Sequence, residues 1–83
     1  MEYRIDCAKI STPREFHRAL AETLSFPEWY GHNLDALYDC LTELEATHLV
    51  LENWDAGSPF AQSFHDTFLD AQTDNPNLSV VFQ

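Results

Sequence analysis

Two rows of aspartates stand out among the residues that could do chemistry. Asp35 and Asp39 lie four residues apart, and Asp66, Asp70 and Asp74 repeat that spacing further along the chain. On a helix this step stacks carboxylates on one face, where like charges cost about 0.2–0.5 kcal/mol per pair. Asp35 falls near the start of its segment, where a helix dipole favours an anion. Asp70 and Asp74 fall near the end of theirs, where it disfavours one by about 0.3–1 kcal/mol. No lysine or arginine is interleaved. Local rules broken without local compensation mark a candidate site. Trp29, Tyr30 and Tyr38 stand close to these acids, and exposed aromatics among carboxylates are the composition expected for anchoring a protein partner. The bland alternative is a solvated helix face with aromatics that belong to the core, Tyr30 above all.

Catalytic arrangements are poorly served. The chain has only Gly31 and Gly57, so it holds no Gly-rich phosphate loop. His32, Asp35 and Asp39 can be drawn as a metal site, since imidazole and oxygen ligands on one helical face are feasible. Asp39 nevertheless lies about two helical turns from His32, and no further ligand is obvious. Cys40 with His17 could be drawn as a nucleophile and base, but Cys40 sits beside an apolar stripe, where a buried, inert thiol is expected. These residues point to a binding role without catalysis, cofactor or metal.

Charge narrows the partner. There are 14 acids against 4 basic residues, a formal net charge of −10. Arg4, Lys9, Arg14 and Arg18 are the only basic residues, and no lysine or arginine follows Arg18. Such a chain repels nucleic acid and anionic membrane and attracts basic proteins. The N-terminus lacks the apolar core of a signal peptide, and no apolar run approaches a membrane span. Cys7 and Cys40 form no metal motif. A cytoplasmic protein with reduced thiols is the expectation.

The elements that must position these residues can be read from periodicity. A length of 83 residues suits one domain spanning 1–83. Tyr3 and Ile5 alternate with charges over 2–6, a strand. Thr12-Pro13-Arg14-Glu15 is a capping box with proline at the first helical position, and Phe16, Leu20 and Leu24 give the following helix, 13–24, its apolar stripe. Residues 25–32 (SFPEWYGH) read as a loop. Asn33 caps a second helix with Leu34, Leu37, Leu41 and Leu44 on its apolar side. Leu49-Val50-Leu51, within 48–52, suits a central parallel strand buried on both faces. Ser58-Pro59 is expected to cap and start a third helix with Phe60, Phe64, Phe68 and Ala71 inward, and Asn75-Pro76 to stop it. Residues 78–82 form a last strand. The order is β-α-α-β-α-β, an α/β domain of two layers with a parallel sheet and its helices on one side.

The run Phe26 to Cys40, FPEWYGHNLDALYDC, resembles the signature of the barstar family, and similarity continues through Leu41-Thr42 and Leu49 to Glu52. The resemblance implies a three-stranded parallel sheet packed against helices and inhibition of barnase-like ribonucleases. By that likeness Asp35 and Asp39 are the central anions, with Trp29, Tyr30, Gly31, Asn33, Tyr38 and Thr42 around them, and Asp70 and Asp74 align with two glutamates. The chain departs from the family pattern at Trp29 (tyrosine there), His32 (glutamate), Tyr38 (tryptophan) and Leu44 (an aromatic), and its third-helix acids are one methylene shorter. The implied partner is a basic ribonuclease, bound by a monomer or in a 1:1 complex. Another basic toxin nuclease or a nucleic-acid-binding protein is the main alternative partner, and a small metal-dependent enzyme the remaining alternative.

Overall fold

A computed structural model describes residues 1–83. The chain runs β1 (Glu2–Asp6), α1 (Pro13–Leu24), α2 (Leu34–Thr42), β2 (Thr47–Glu52), α3 (Ala61–Asp74) and β3 (Leu78–Phe82), with a short 3-10 turn at Cys7–Lys9. The three strands form one parallel sheet in the order β1-β2-β3. The expected order and fold class are those observed.

Side-chain alternation decides which face the helices cover. Tyr3, Leu49 and Val80 share one register row, and Ile5, Leu51 and Phe82 the next. These rows meet Phe16, Leu20, Leu37, Leu41, Phe64 and Phe68 in one core. Burying side chains of this size stabilises the fold by about 1.5–3 kcal/mol each. The opposite face carries Glu2, His48 and Ser79, then Arg4, Val50 and Val81. β2 is expected to be buried on both faces. Val50 is indeed buried; it stands between Arg4 and Val81 in the register, and Arg4 reaches over to Glu52 at 3.1 Å.

Helix ends follow local chemistry. At α1 the Thr12 hydroxyl accepts from the Glu15 amide at 3.1 Å, and the Glu15 carboxylate accepts from the Thr12 amide at 3.1 Å. α3 starts later than its Ser58-Pro59 pair suggests. Asp55 organises the approach by accepting from the Gly57 amide on its side chain and from the Ser58 amide on its backbone, at 3.0 and 3.1 Å. Ser58 then offers its carbonyl to Ala61, and its hydroxyl is buried without a partner. Phe60 becomes the N-cap with no side-chain bond and is only half-buried; Ala61 takes its place in the inward stripe.

α2 and α3 pack side by side. Asn75, just past α3, is buried, and its amide donates to the carbonyls of Leu41 and Leu44, each at 3.0 Å. Its side-chain oxygen accepts from the Asn77 amide at 3.0 Å. Asn75 therefore closes the C-terminal end of α2, where helical carbonyls otherwise lack partners. A buried group left unpaired costs about 1–3 kcal/mol. Asn75→Ala is expected to lower unfolding stability by at least about 2 kcal/mol, read as a lower urea midpoint at unchanged slope. A loss below about 0.5 kcal/mol, the usual range for a surface change, would show that Asn75 does not perform this closure.

Candidate functional site

The candidate site is built on α2, on the loop that leads into it, and on the adjoining end of α3. The loop is held from both sides. Outside, Asn33 caps α2: its side-chain oxygen accepts from the Ala36 amide at 2.8 Å, and its amide donates to the Gly31 carbonyl at 3.3 Å. A Cβ added at Gly31 would stand 3.0 Å from that amide nitrogen, so Gly31 leaves room for the cap. His32 bridges the two in the left-handed region, with φ at 51°.

Inside, Tyr30 is 6% exposed and anchors the loop to the core. Its hydroxyl is hydrogen-bonded to Nδ1 of His17, itself 5% exposed on α1. The His17 ring lies parallel to that of His32, centroids 6.2 Å apart, and packs on Phe64 at 4.9 Å. Burial pushes the His17 pKa below its usual value, and the neighbouring His32 adds to this. Burial likewise raises the Tyr30 hydroxyl, with Cys40 contributing. Both thiols are held in their neutral forms. Burial, then Asp6, lifts Cys7 to about 11, while burial followed by Glu43 and Asp39 raises Cys40.

With Tyr30 tucked in, the aromatic that the loop presents is Trp29, 63% exposed. Asp35 and Asp39 are exposed on α2 and flank half-buried Tyr38. Thr42 donates its hydroxyl to the Asp39 carbonyl at 3.0 Å. Across the helix pair, the Tyr38 hydroxyl donates to the Asp74 carboxylate, and Tyr38, Asp70, Thr73 and Asp74 line an open notch between α2 and α3. The two acidic helices of the sequence are thus neighbours in space. Asp66, earlier in the row, takes a bond from Gln62 at 2.7 Å and lies 3.7 Å from the His65 ring nitrogen.

Cations are kept elsewhere. Arg4 pairs with Glu2 and Glu52, and Arg18 with Glu22. No lysine or arginine reaches an acid of α2 or α3. His32, Asp35 and Asp39 do not come together with other ligands as a group able to hold a metal ion. No helix is long and apolar enough to cross a membrane.

Two residues support the site in roles that the sequence does not assign them: His17, drawn there only as a base for Cys40, is bonded to the Tyr30 hydroxyl, and Asn75 ties the end of α2. His17 had a signal in its spacing, since it lies three and seven residues before Leu20 and Leu24, both on the buried stripe. Asn75 read only as a stop, because its partners lie more than thirty residues away, with Leu41 separated from it by 34.

Fold and surface define a class: a small two-layer α/β domain whose paired helices carry an uncompensated anionic face. The chain belongs to the barstar family, matching the family described as Barstar (barnase inhibitor) over residues 1–83. It is also similar to a Bacillus subtilis (strain 168) protein named "Putative ribonuclease inhibitor YrdF", 46% identical over 57 residues. That match covers 65% of this chain and 62% of the relative, less than two thirds of the relative's length.

The buried His17 makes stability depend on pH. The unfolded chain takes up the imidazole proton near pH 6.5, and the folded chain only at lower pH. The contribution of neutral His17 is therefore complete above about pH 6.5 and is lost as pH falls through the folded-state value. Acidification also relieves the repulsion among 14 acids, so the comparison that isolates His17 is with His17→Gln. The stability advantage of the wild type over His17→Gln is expected to narrow from pH 7.5 to pH 5 in urea titrations. A constant advantage would refute the assignment.

Proposed function

We propose that this chain inhibits a basic barnase-type ribonuclease in the cytoplasm by seating α2 and its preceding loop in the enzyme's active site. Asp35 and Asp39 are the central anions. Trp29 and Tyr38 flank them, Asp70 and Asp74 extend the negative surface, and Tyr30, Gly31, Asn33 and Thr42 shape the loop and helix. The observation that carries the reading is the carboxylate face of α2 and α3, free of any lysine or arginine, in a member of a family described as barnase inhibitors. The Bacillus relative's printed name points the same way.

The chemistry is direct. A ribonuclease must hold an anionic phosphodiester with lysine, arginine and histidine. Carboxylates on a rigid helix can occupy those positions while offering no bond to cleave. The inhibitor then needs no catalytic group, cofactor or metal, and a 1:1 complex suffices. Opposite charges speed the encounter, and desolvated carboxylate–guanidinium pairs hold the complex. The same surface would suit another basic nuclease or nucleic-acid-binding protein. Capturing the partner and assaying it for RNA cleavage separates these readings.

Inhibition of barnase by the purified chain is the first test. Its association rate is expected to fall steeply between 0.1 and 1 M salt, as the Debye length shrinks from about 10 to about 3 Å. A flat rate would remove electrostatic steering from the mechanism.

Asp39→Ala is expected to weaken inhibition more than any other single acid substitution. Removing one member of a desolvated charge pair costs about 2–5 kcal/mol or more, a range drawn partly from the barnase–barstar complex itself. In the free chain Asp39 is exposed and four residues from Asp35, so its removal relieves about 0.2–0.5 kcal/mol of repulsion. Thermal unfolding measured beside inhibition constants distinguishes the roles. A markedly destabilised Asp39→Ala chain, or one that inhibits like the wild type, would show that Asp39 is not the central anion.

A further inference from the structure

α2 and α3 are joined at two places close together. One is the buried Asn75 amide on the carbonyls of Leu41 and Leu44. The other is the bond from the Tyr38 hydroxyl to Oδ2 of Asp74, the residue immediately before Asn75. Asp74 is the last residue of α3, where the helix dipole works against an anion. With no cation near it, an unrestrained carboxylate there would turn towards water. Its backbone neighbour is nevertheless pinned, and its side chain is bonded to a phenol packed against the core.

The donor's chemistry is informative. A lysine or arginine in place of Tyr38 would hold the carboxylate and also cancel its charge. A neutral phenol holds it and leaves the charge in place, as well as lone pairs on both oxygens for further bonds. We propose that Tyr38 is a positioning residue of the partner-binding face: its hydroxyl fixes the Asp74 carboxylate, still fully charged, for a cationic side chain of the bound enzyme. This rests on the assignment of α2 and α3 as the surface that meets a basic ribonuclease. The core already holds the two helices together through Leu37, Leu41 and Phe68, so the Tyr38–Asp74 bond at the solvent edge is not needed to keep them paired.

The test is a double-mutant cycle with barnase as the probe, using wild type, Tyr38→Phe, Asp74→Asn and the double variant. Association and dissociation rates are measured for each, with the urea midpoint of each free chain. Tyr38→Phe is expected to weaken binding about three- to tenfold, the size expected for ordering one side chain at an interface. The change belongs in dissociation, because net charge and therefore steering are unchanged. In the Asp74→Asn background Tyr38→Phe is expected to have no further effect on binding, and its urea midpoint to stay near that of the wild type.

The inference is overturned if Tyr38→Phe binds like the wild type. It is equally overturned if the variant loses the same factor in both backgrounds, since Tyr38 would then act without Asp74. A midpoint that falls in step with affinity would make the bond structural and overturn it too. A wild-type chain that does not inhibit barnase would bring down the assignment of the surface itself, and this inference with it. A wild type that inhibits beside a silent Tyr38→Phe would bring down this inference alone.

Discussion

The arrangement depends on one buried amide. Asn75 supplies two donors to the last carbonyls around the end of α2 and one acceptor to the amide that leads into β3. Helix ends leave backbone groups without partners, and inside a protein those groups must be answered by something other than water. Here one side chain answers for α2 from the far end of α3, and so fixes how the two helices lie. The acids of α2 and α3 share a surface because this junction holds, and its cost of failure falls on the binding face as well as on the core.

The second support lies under the loop. Tyr30 and His17 meet in the interior, while Asn33 closes the same loop on the outside and starts α2. Two polar contacts, one buried and one exposed, thus grip a nine-residue stretch, 25–33, that contains a proline and a glycine. Trp29 is left outward by this grip. A binding surface set on rigid elements and supported from behind loses less freedom when it engages a partner. The acids of α2 and α3 have no lysine or arginine partner, so their charge is left for a bound protein.

Much of this was legible from residue order. The Thr12–Glu15 box, the Asn33 cap, the alternation in β1 and the leucine steps of α2 all act over three or four residues, and local periodicity reports such features faithfully. The spacing of Asp35 with Asp39, and of Asp70 with Asp74, placed each pair on one helix face. What could not be read was long-range pairing. Nothing in Asn75-Pro76 tells where the asparagine amide points, and nothing in Tyr38 names Asp74 as its partner. Ser58 differs for a local reason: two candidates for the same turn stand three residues apart, and Asp55, not Ser58, organises it. The burial of Val50 was legible in the run Leu49-Val50-Leu51, although the helices lie on the other face of the sheet and Val50 sits between Arg4 and Val81 of the flanking strands.

The parallel sheet has a consequence for how the chain assembles. Glu2 stands opposite His48, and Thr47 opposite Leu78. No two strands adjoin in sequence, so each ladder closes a loop that already contains helix, and the entropy of closure grows with the logarithm of loop length. α1 and the first turns of α2 satisfy their backbone within a few residues, and only the C-terminal end of α2 waits for the distant Asn75. Topologies dominated by distant pairings are the slower ones to form. Asp35 and Asp39 thus sit on a helix whose first turns close locally, while the sheet, which gives no side chain to that surface, closes over the longest loops of the chain.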